Sequence, residues 1–154
     1  MAEVGETTVA SNRRARHDYH IDGSLEAGLV LMGSEIKSVR NGKVSLQEAY
    51  VVLDRGEAWL ENAHIADYER AGYIRHEPLR RRKLLLHRKE IFELGRQVQI
   101  KGYTIVPLRL YLKNGRAKLE IGVAKGKKLY DKRQTIRDRD VRRDVERELA
   151  RRER

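Results

Sequence analysis

Asn114-Gly115 constrains this chain more than any other pair of residues, because it sits between two runs in which apolar and polar residues alternate. Asn-Gly is the strongest short signal for a two-residue hairpin turn. A turn at that point pairs residues whose numbers sum to 229. Leu108, Leu110 and Leu112 then face Ile121, Leu119 and Ala117 on one side of the ribbon, while Arg109 meets Glu120 and Tyr111 meets Lys118 on the other. Side chains on a strand alternate between faces, so one side of this ribbon is core and the other is a polar, partly aromatic surface. Lys118 lies on that second surface, available to a phosphate.

The rest of the chain supplies partners for the ribbon. Leu25 to Met32 reads as a strand, with Gly28 marking a bulge or a close backbone approach. Ser34 is expected to cap a short helix over 34–41 that stops at Asn41-Gly42, with Ile36 and Val39 inward and Lys37 and Arg40 together outward, facing phosphate or water. Tyr50 to Leu53 and Glu57 to Leu60 flank Asp54-Arg55-Gly56, read as a three-residue hairpin turn, and Ala63 to Ala66 is expected to continue the second strand. His64 there has no second ligand at metal spacing and is assigned no role. Residues 67–78 follow no period and form the longest internal loop. Arg80-Arg81-Arg82-Lys83 then places a phosphate-binding run directly against Leu84-Leu85-Leu86, leucines that burial preference alone assigns to the core. Glu90 to Lys101 reads as a helix with Ile91, Leu94 and Val98 inward and Gly102 at its end.

About six short strands with two short helices predict a mainly β fold, an antiparallel barrel of the oligonucleotide-binding type with helices packed on it. The expected divisions are a loose leader over 1–11, a barrel domain over 12–124 and a basic tail over 125–154.

Charge indicates the partner. Lys and Arg number 34 against 23 acids, a formal net charge of +11, which favours a polyanion. In Asn12-Arg13-Arg14-Ala15-Arg16-His17-Asp18-Tyr19-His20-Ile21, guanidinium groups for phosphate alternate with rings that stack on unpaired bases and an amide that reads a base edge. An ordinary basic first strand is the bland alternative for the same stretch. The tail holds 13 basic residues against 7 acidic ones. Its opposite-charge pairs, Asp138 with Arg142, Arg142 with Glu146 and Glu148 with Arg152, and its thin line of Val141, Val145 and Leu149 suit a helix that is disordered alone and forms on a partner. That line lacks the Trp, Phe or Leu-rich face a membrane-surface helix needs, so no membrane partner is expected.

With no cysteine, disulfides and thiolate zinc sites are excluded. No stretch has the length of a signal or membrane-spanning segment, and a cytoplasmic protein is expected. No paired-carboxylate, His-rich or Gly-rich phosphate constellation is present. The expectation is therefore a binding protein, a monomer on its RNA, without enzymatic activity, cofactor, metal or small-molecule substrate. A general single-strand-binding or ribosomal protein of the same barrel type is the competing reading.

Six separated motifs carry a resemblance. Arg16-His17-Asp18-Tyr19, Glu26-Ala27-Gly28-Leu29, Gly33 to Arg40, Arg82 to His87, Leu108 to Tyr111, and Ala124 to Lys128 with Asp131-Lys132-Arg133 stand in the order and spacing of the SsrA-binding proteins, the small protein B family. The resemblance covers roughly 12–133. It implies a barrel that grips the tRNA-like domain of transfer-messenger RNA and brings it to stalled bacterial ribosomes in trans-translation, standing in for the anticodon arm. The tail would enter the decoding centre and the messenger channel. Carried over by position, Asn12, Arg13, Arg14, Arg16, His17, Glu26, Leu85 and Lys118 would face RNA, with Tyr19, Lys37, Arg40, Arg82 and Lys83 added from the patches above. Leu85 would thus leave the core for an apolar contact with RNA. Gly126, Lys127, Lys128, Asp131, Lys132 and Arg133 would face the ribosome, with Val145 and Leu149 on the tail helix.

Overall fold

A computed structural model describes residues 5–67, 76–100 and 102–126. Their elements, in chain order, are β1 (Glu6–Ser11), α1 (Arg13–Asp18), β2 (Tyr19–Leu29), α2 (Gly33–Arg40), β3 (Val44–Ser45), β4 (Tyr50–Asp54), β5 (Glu57–Glu61), β6 (His64–Ile65), β7 (Arg82–Leu85), α3 (Arg88–Val98), β8 (Tyr103–Lys113) and β9 (Arg116–Gly126).

The β8–β9 hairpin is the spine. Asn114 and Gly115 both take positive φ, 52° and 78°, the mirror-image turn whose twist matches its strands. The expected register holds from Lys113 opposite Arg116 to Arg109 opposite Glu120. It then slips by one residue, so that Pro107, not Leu108, faces Ile121. The bulge turns Leu108 into a small second core with Ala15, Val106 and Ala124.

Hydrogen-bonded neighbours run β8, β4, β5, β7, β2, β9 and back to β8, closing a six-stranded antiparallel barrel. β8 is long enough to serve two strands on its other edge: Ile105 pairs with Val51 of β4, and residues 109–113 pair with β1. Leu60, Leu84, Ile105, Leu110, Leu119 and Ile121 fill the barrel, with Val39 of α2 and Leu94 of α3 packed against them. β3 and β6 form a separate two-stranded sheet.

Several boundaries differ from expectation. Residues 6–11 are not a loose leader but β1, and β9 continues past Ala124 to Gly126, which pairs with Tyr19. The strand expected over 25–32 starts at Tyr19 and ends at Leu29. The turn after Asp54 has two residues, Arg55 and Gly56, both at positive φ, since Asp54 already pairs with Glu57. Asn62, at φ 62°, breaks β5 from β6, so the strand does not run on to Ala66. α3 spans Arg88–Val98, with Gln99 and not Gly102 at its C-cap.

α2 begins one residue early. Met32 is the N-cap residue, and the carboxylate of Glu35 accepts its backbone N–H at 2.8 Å. Ser34, expected as the cap, is buried against His76, whose other ring nitrogen lies 2.8 Å from the Ile65 carbonyl. Glu35 also anchors the arginine run: Arg82 Nε donates to it at 2.5 Å, Arg80 Nη2 at 2.5 Å, and Arg82 Nη1 reaches the Ala63 carbonyl at 2.6 Å. Arg82 and Glu35 are both fully buried. Arg82 is therefore not an RNA ligand. Alternation along β7 sends Arg82 and Leu84 inward and Lys83 and Leu85 outward. A buried guanidinium is tolerable only with such a saturated set of acceptors.

Candidate nucleic-acid interface

The outward faces of β2, β7, β8 and β9 meet in a shallow depression lined by Glu26, Gly28, Leu85, Leu86, His87, Glu90 and Lys118, with Lys113, Asn114 and Arg116 on the adjoining surface. Register explains the meeting. Gly28 of β2 pairs with Leu85 of β7 on one edge and with Lys118 of β9 on the other. Glu26 lies two residues along β2, on the same face.

Leu85 is 55% exposed, so its apolar side chain lies on the surface and not in the core. Gly28 makes that possible, since a Cβ there would sit 3.1 Å from the Leu85 Cβ. Lys83, two residues before Leu85 and on the same face, pairs with Glu57 at 3.2 Å.

Glu26 is held from several sides. The Tyr111 hydroxyl donates to its Oε2, Lys118 Nζ lies 3.8 Å from Oε1, and Lys113 Nζ lies 3.8 Å from Oε2. The Tyr111 hydrogen bond, outweighing partial burial and aided by Lys113, Lys118 and Arg109, holds the carboxyl below the usual range. Tyr111 is buried, and that burial, followed by its bond to Glu26, pushes the phenol well above its ordinary value, so it stays a donor. Arg109 stacks 4.1 Å over the Tyr111 ring and is pinned by Glu120 at 2.7 Å and Glu6 at 2.8 Å. A fixed carboxylate can accept from a base amino group or a sugar hydroxyl. Beside it, a lysine offers charge to a phosphate and a leucine offers an apolar face to an unstacked base.

The other expected RNA residues do not join this depression. Arg13, Arg14, Arg16 and His17 lie on α1, and Tyr19 opens β2, with the seven-residue step from Tyr19 to Glu26 intervening, roughly 23 Å of strand. Arg14 bonds Glu48 and pairs with Asp18 at 3.4 Å, and the His17 ring contacts Asp18 at 3.0 Å, a hydrogen bond that lowers the Asp18 carboxyl. Gly126 ends β9 beside Tyr19, the residue that follows α1. Lys37 and Arg40 are exposed on α2 and line neither patch.

Asn12 does not read a base edge. It is 3% exposed; its amide donates to the Leu46 and Pro107 carbonyls at 3.1 and 2.9 Å, and its oxygen accepts from Ala15 N at 3.1 Å. Its role is to cap α1 and fix that helix to the barrel. Lys127, Lys128, Asp131, Lys132, Arg133, Val145 and Leu149 lie outside the described residues. Tyr111, Arg109 and Lys113 were not assigned to the RNA site from sequence, although the Asn-Gly register already places Tyr111 opposite Lys118.

The family model for the SmpB protein matches residues 9–151. The chain belongs to the SmpB family. It is 59% identical to the SsrA-binding protein of Roseiflexus sp. (strain RS-1), over 97% of this chain and 95% of that one. Identity to the SsrA-binding protein of Shouchella clausii is 55%, covering 97% and 98%. The Staphylococcus aureus (strain JH1) protein of the same name is 54% identical, covering 92% of each. The fold matches a chain of the solved structure described as "tmRNA-SmpB: a journey to the center of the bacterial ribosome" with a TM-score of 0.66 and 47% identity, covering 77% of this chain and 83% of that one. The SmpB fold is thus the mainly β, antiparallel arrangement derived above. Among the described residues no helix is long and apolar enough to cross a membrane.

Proposed function

We propose that this protein is the RNA-binding adaptor of trans-translation: it holds the tRNA-like domain of transfer-messenger RNA on the barrel and carries it to stalled bacterial ribosomes in the cytoplasm. The SsrA-binding names of its relatives and the ribosomal setting of the solved SmpB structure support this reading. The observation that carries it is the convergence of Glu26, Leu85 and Lys118, three distant positions on three strands, on one depression. In this role the protein performs no covalent chemistry and works as a monomer on RNA. The barrel face around Glu26 engages the tRNA-like domain, and the tail from Gly126 onward engages the decoding centre and messenger channel.

A direct test removes one cation. Lys118→Ala should weaken binding of a tRNA-like domain transcript and reduce the slope of log affinity against log salt by about one. An unchanged slope in a salt titration would remove Lys118 from the interface. The division of labour is tested by truncation before Gln134. RNA affinity should stay within about threefold, or about 0.7 kcal/mol, while tagging of stalled chains in a reconstituted translation reaction disappears. A large loss of RNA affinity would make the tail an RNA grip instead.

A further inference from the structure

We infer that Tyr111 is a positioning residue for RNA recognition, holding the Glu26 carboxylate in the one orientation that serves the RNA site beside Lys118. This rests on the reading of that depression as the RNA site. A glutamate on a strand surface ordinarily samples several rotamers, and each is lost at a cost on binding. Here Tyr111 removes that freedom beforehand. Its hydroxyl occupies Oε2, leaving Oε1 turned towards Lys118 at 3.8 Å.

Tyr111 is itself immobilised. It is 3% exposed, its ring is covered by the Arg109 guanidinium, and Arg109 is tied to Glu120 of β9 and to Glu6 and Thr8 of β1. The strand that replaces the expected leader therefore buttresses the site from behind. Without the phenol, Oε2 would keep Lys113, at 3.8 Å, and Glu26 could swing away from Lys118. The charged and titratable groups facing Glu26 are Tyr111, Arg109 and Lys113 from β8, Lys118 and its cross-strand partner Glu120 from β9, and His87 and Glu90 across the depression.

The experiment is a double-mutant cycle on the full chain with a tRNA-like domain transcript. Tyr111→Phe keeps the ring beneath Arg109 and should weaken binding about tenfold, or about 1.4 kcal/mol. It should also move the acid limb of binding to higher pH, because Glu26 loses the strongest contact that keeps it ionised. In a Glu26→Gln background the same change should have no further effect. Carbon-detected titration of the free proteins gives a second readout: the Glu26 carboxyl should protonate at higher pH in Tyr111→Phe. Wild-type affinity for Tyr111→Phe, losses that multiply in the double variant, or an unmoved Glu26 titration would each overturn the inference. If Glu26→Gln alone left affinity unchanged, the RNA-site reading would fail instead.

Discussion

Glu35→Ala is expected to destabilise the protein by about 3–5 kcal/mol, the cost of stranding a buried charge by removing its partner. Arg82 is fully buried and its Nε has Glu35 as acceptor at 2.5 Å. Removing that carboxylate leaves a guanidinium in the barrel wall with, among the described residues, only the Ala63 and Glu77 carbonyls. It also removes the carboxylate partner of Arg80 and the acceptor of the Met32 amide at the start of α2. Urea unfolding followed by far-ultraviolet circular dichroism measures the loss. Glu35→Leu with Arg82→Met should recover most of it, because apolar groups of similar volume replace a buried ion pair at little cost. A loss below about 1 kcal/mol for Glu35→Ala would mean that water reaches the pair, as it does surface ion pairs.

The same residue sets an acid limit. Burial alone would raise the Glu35 carboxyl, but hydrogen bonds from Arg80, the Met32 amide and Arg82 outweigh it and hold the value below the usual one. A carboxyl lowered in the folded state binds fewer protons than in the unfolded chain. Its contribution is therefore complete above the unfolded value of 4.5 and is lost as pH falls through the lower folded value. Stability should fall in that window, and less steeply in the Leu–Met double variant.

Leu85→Asp carries the second large effect, on RNA. Fully covering an otherwise exposed leucine side chain is worth about 1.5–3 kcal/mol, and a carboxylate placed beside phosphates adds repulsion. Affinity for the tRNA-like domain should drop at least tenfold, and up to about a hundredfold. Because Leu85 is 55% exposed, the thermal midpoint should shift little, which separates a lost contact from a lost fold. Unchanged affinity would move the RNA to another face, α1 being the next candidate.

The two residues show what a sequence can disclose. The Asn114-Gly115 hairpin was legible because its determinants are local: a turn that needs positive φ and an alternation on either side. Leu85 and Arg82 were each misassigned by residue type, the leucine to core and the arginine to surface. Alternation along β7 reverses both, and its phase is set by a glutamate 47 positions away. Asn12 failed similarly, since the carbonyls that hold it belong to Leu46 and Pro107. The arginine-rich α1 has no apolar period, and its one helix signal is the local cap from the Asn12 side chain to the Ala15 amide. β1 is short and polar, with a pattern too weak to identify without β8 beside it. Resemblance to the family recovered Leu85 and Glu26, which charge alone would not select. It did not reveal that Tyr111 stands behind Glu26.

The central claim is that this barrel face selects one structured RNA. Purifying the full-length protein from bacterial cells with its bound RNA, and sequencing that RNA beside the Leu85→Asp variant, tests it most directly. One dominant tRNA-like species with the wild-type chain, largely lost with Leu85→Asp, is the predicted result; a broad mixture of unrelated single-stranded RNAs, unaltered by the substitution, would contradict it.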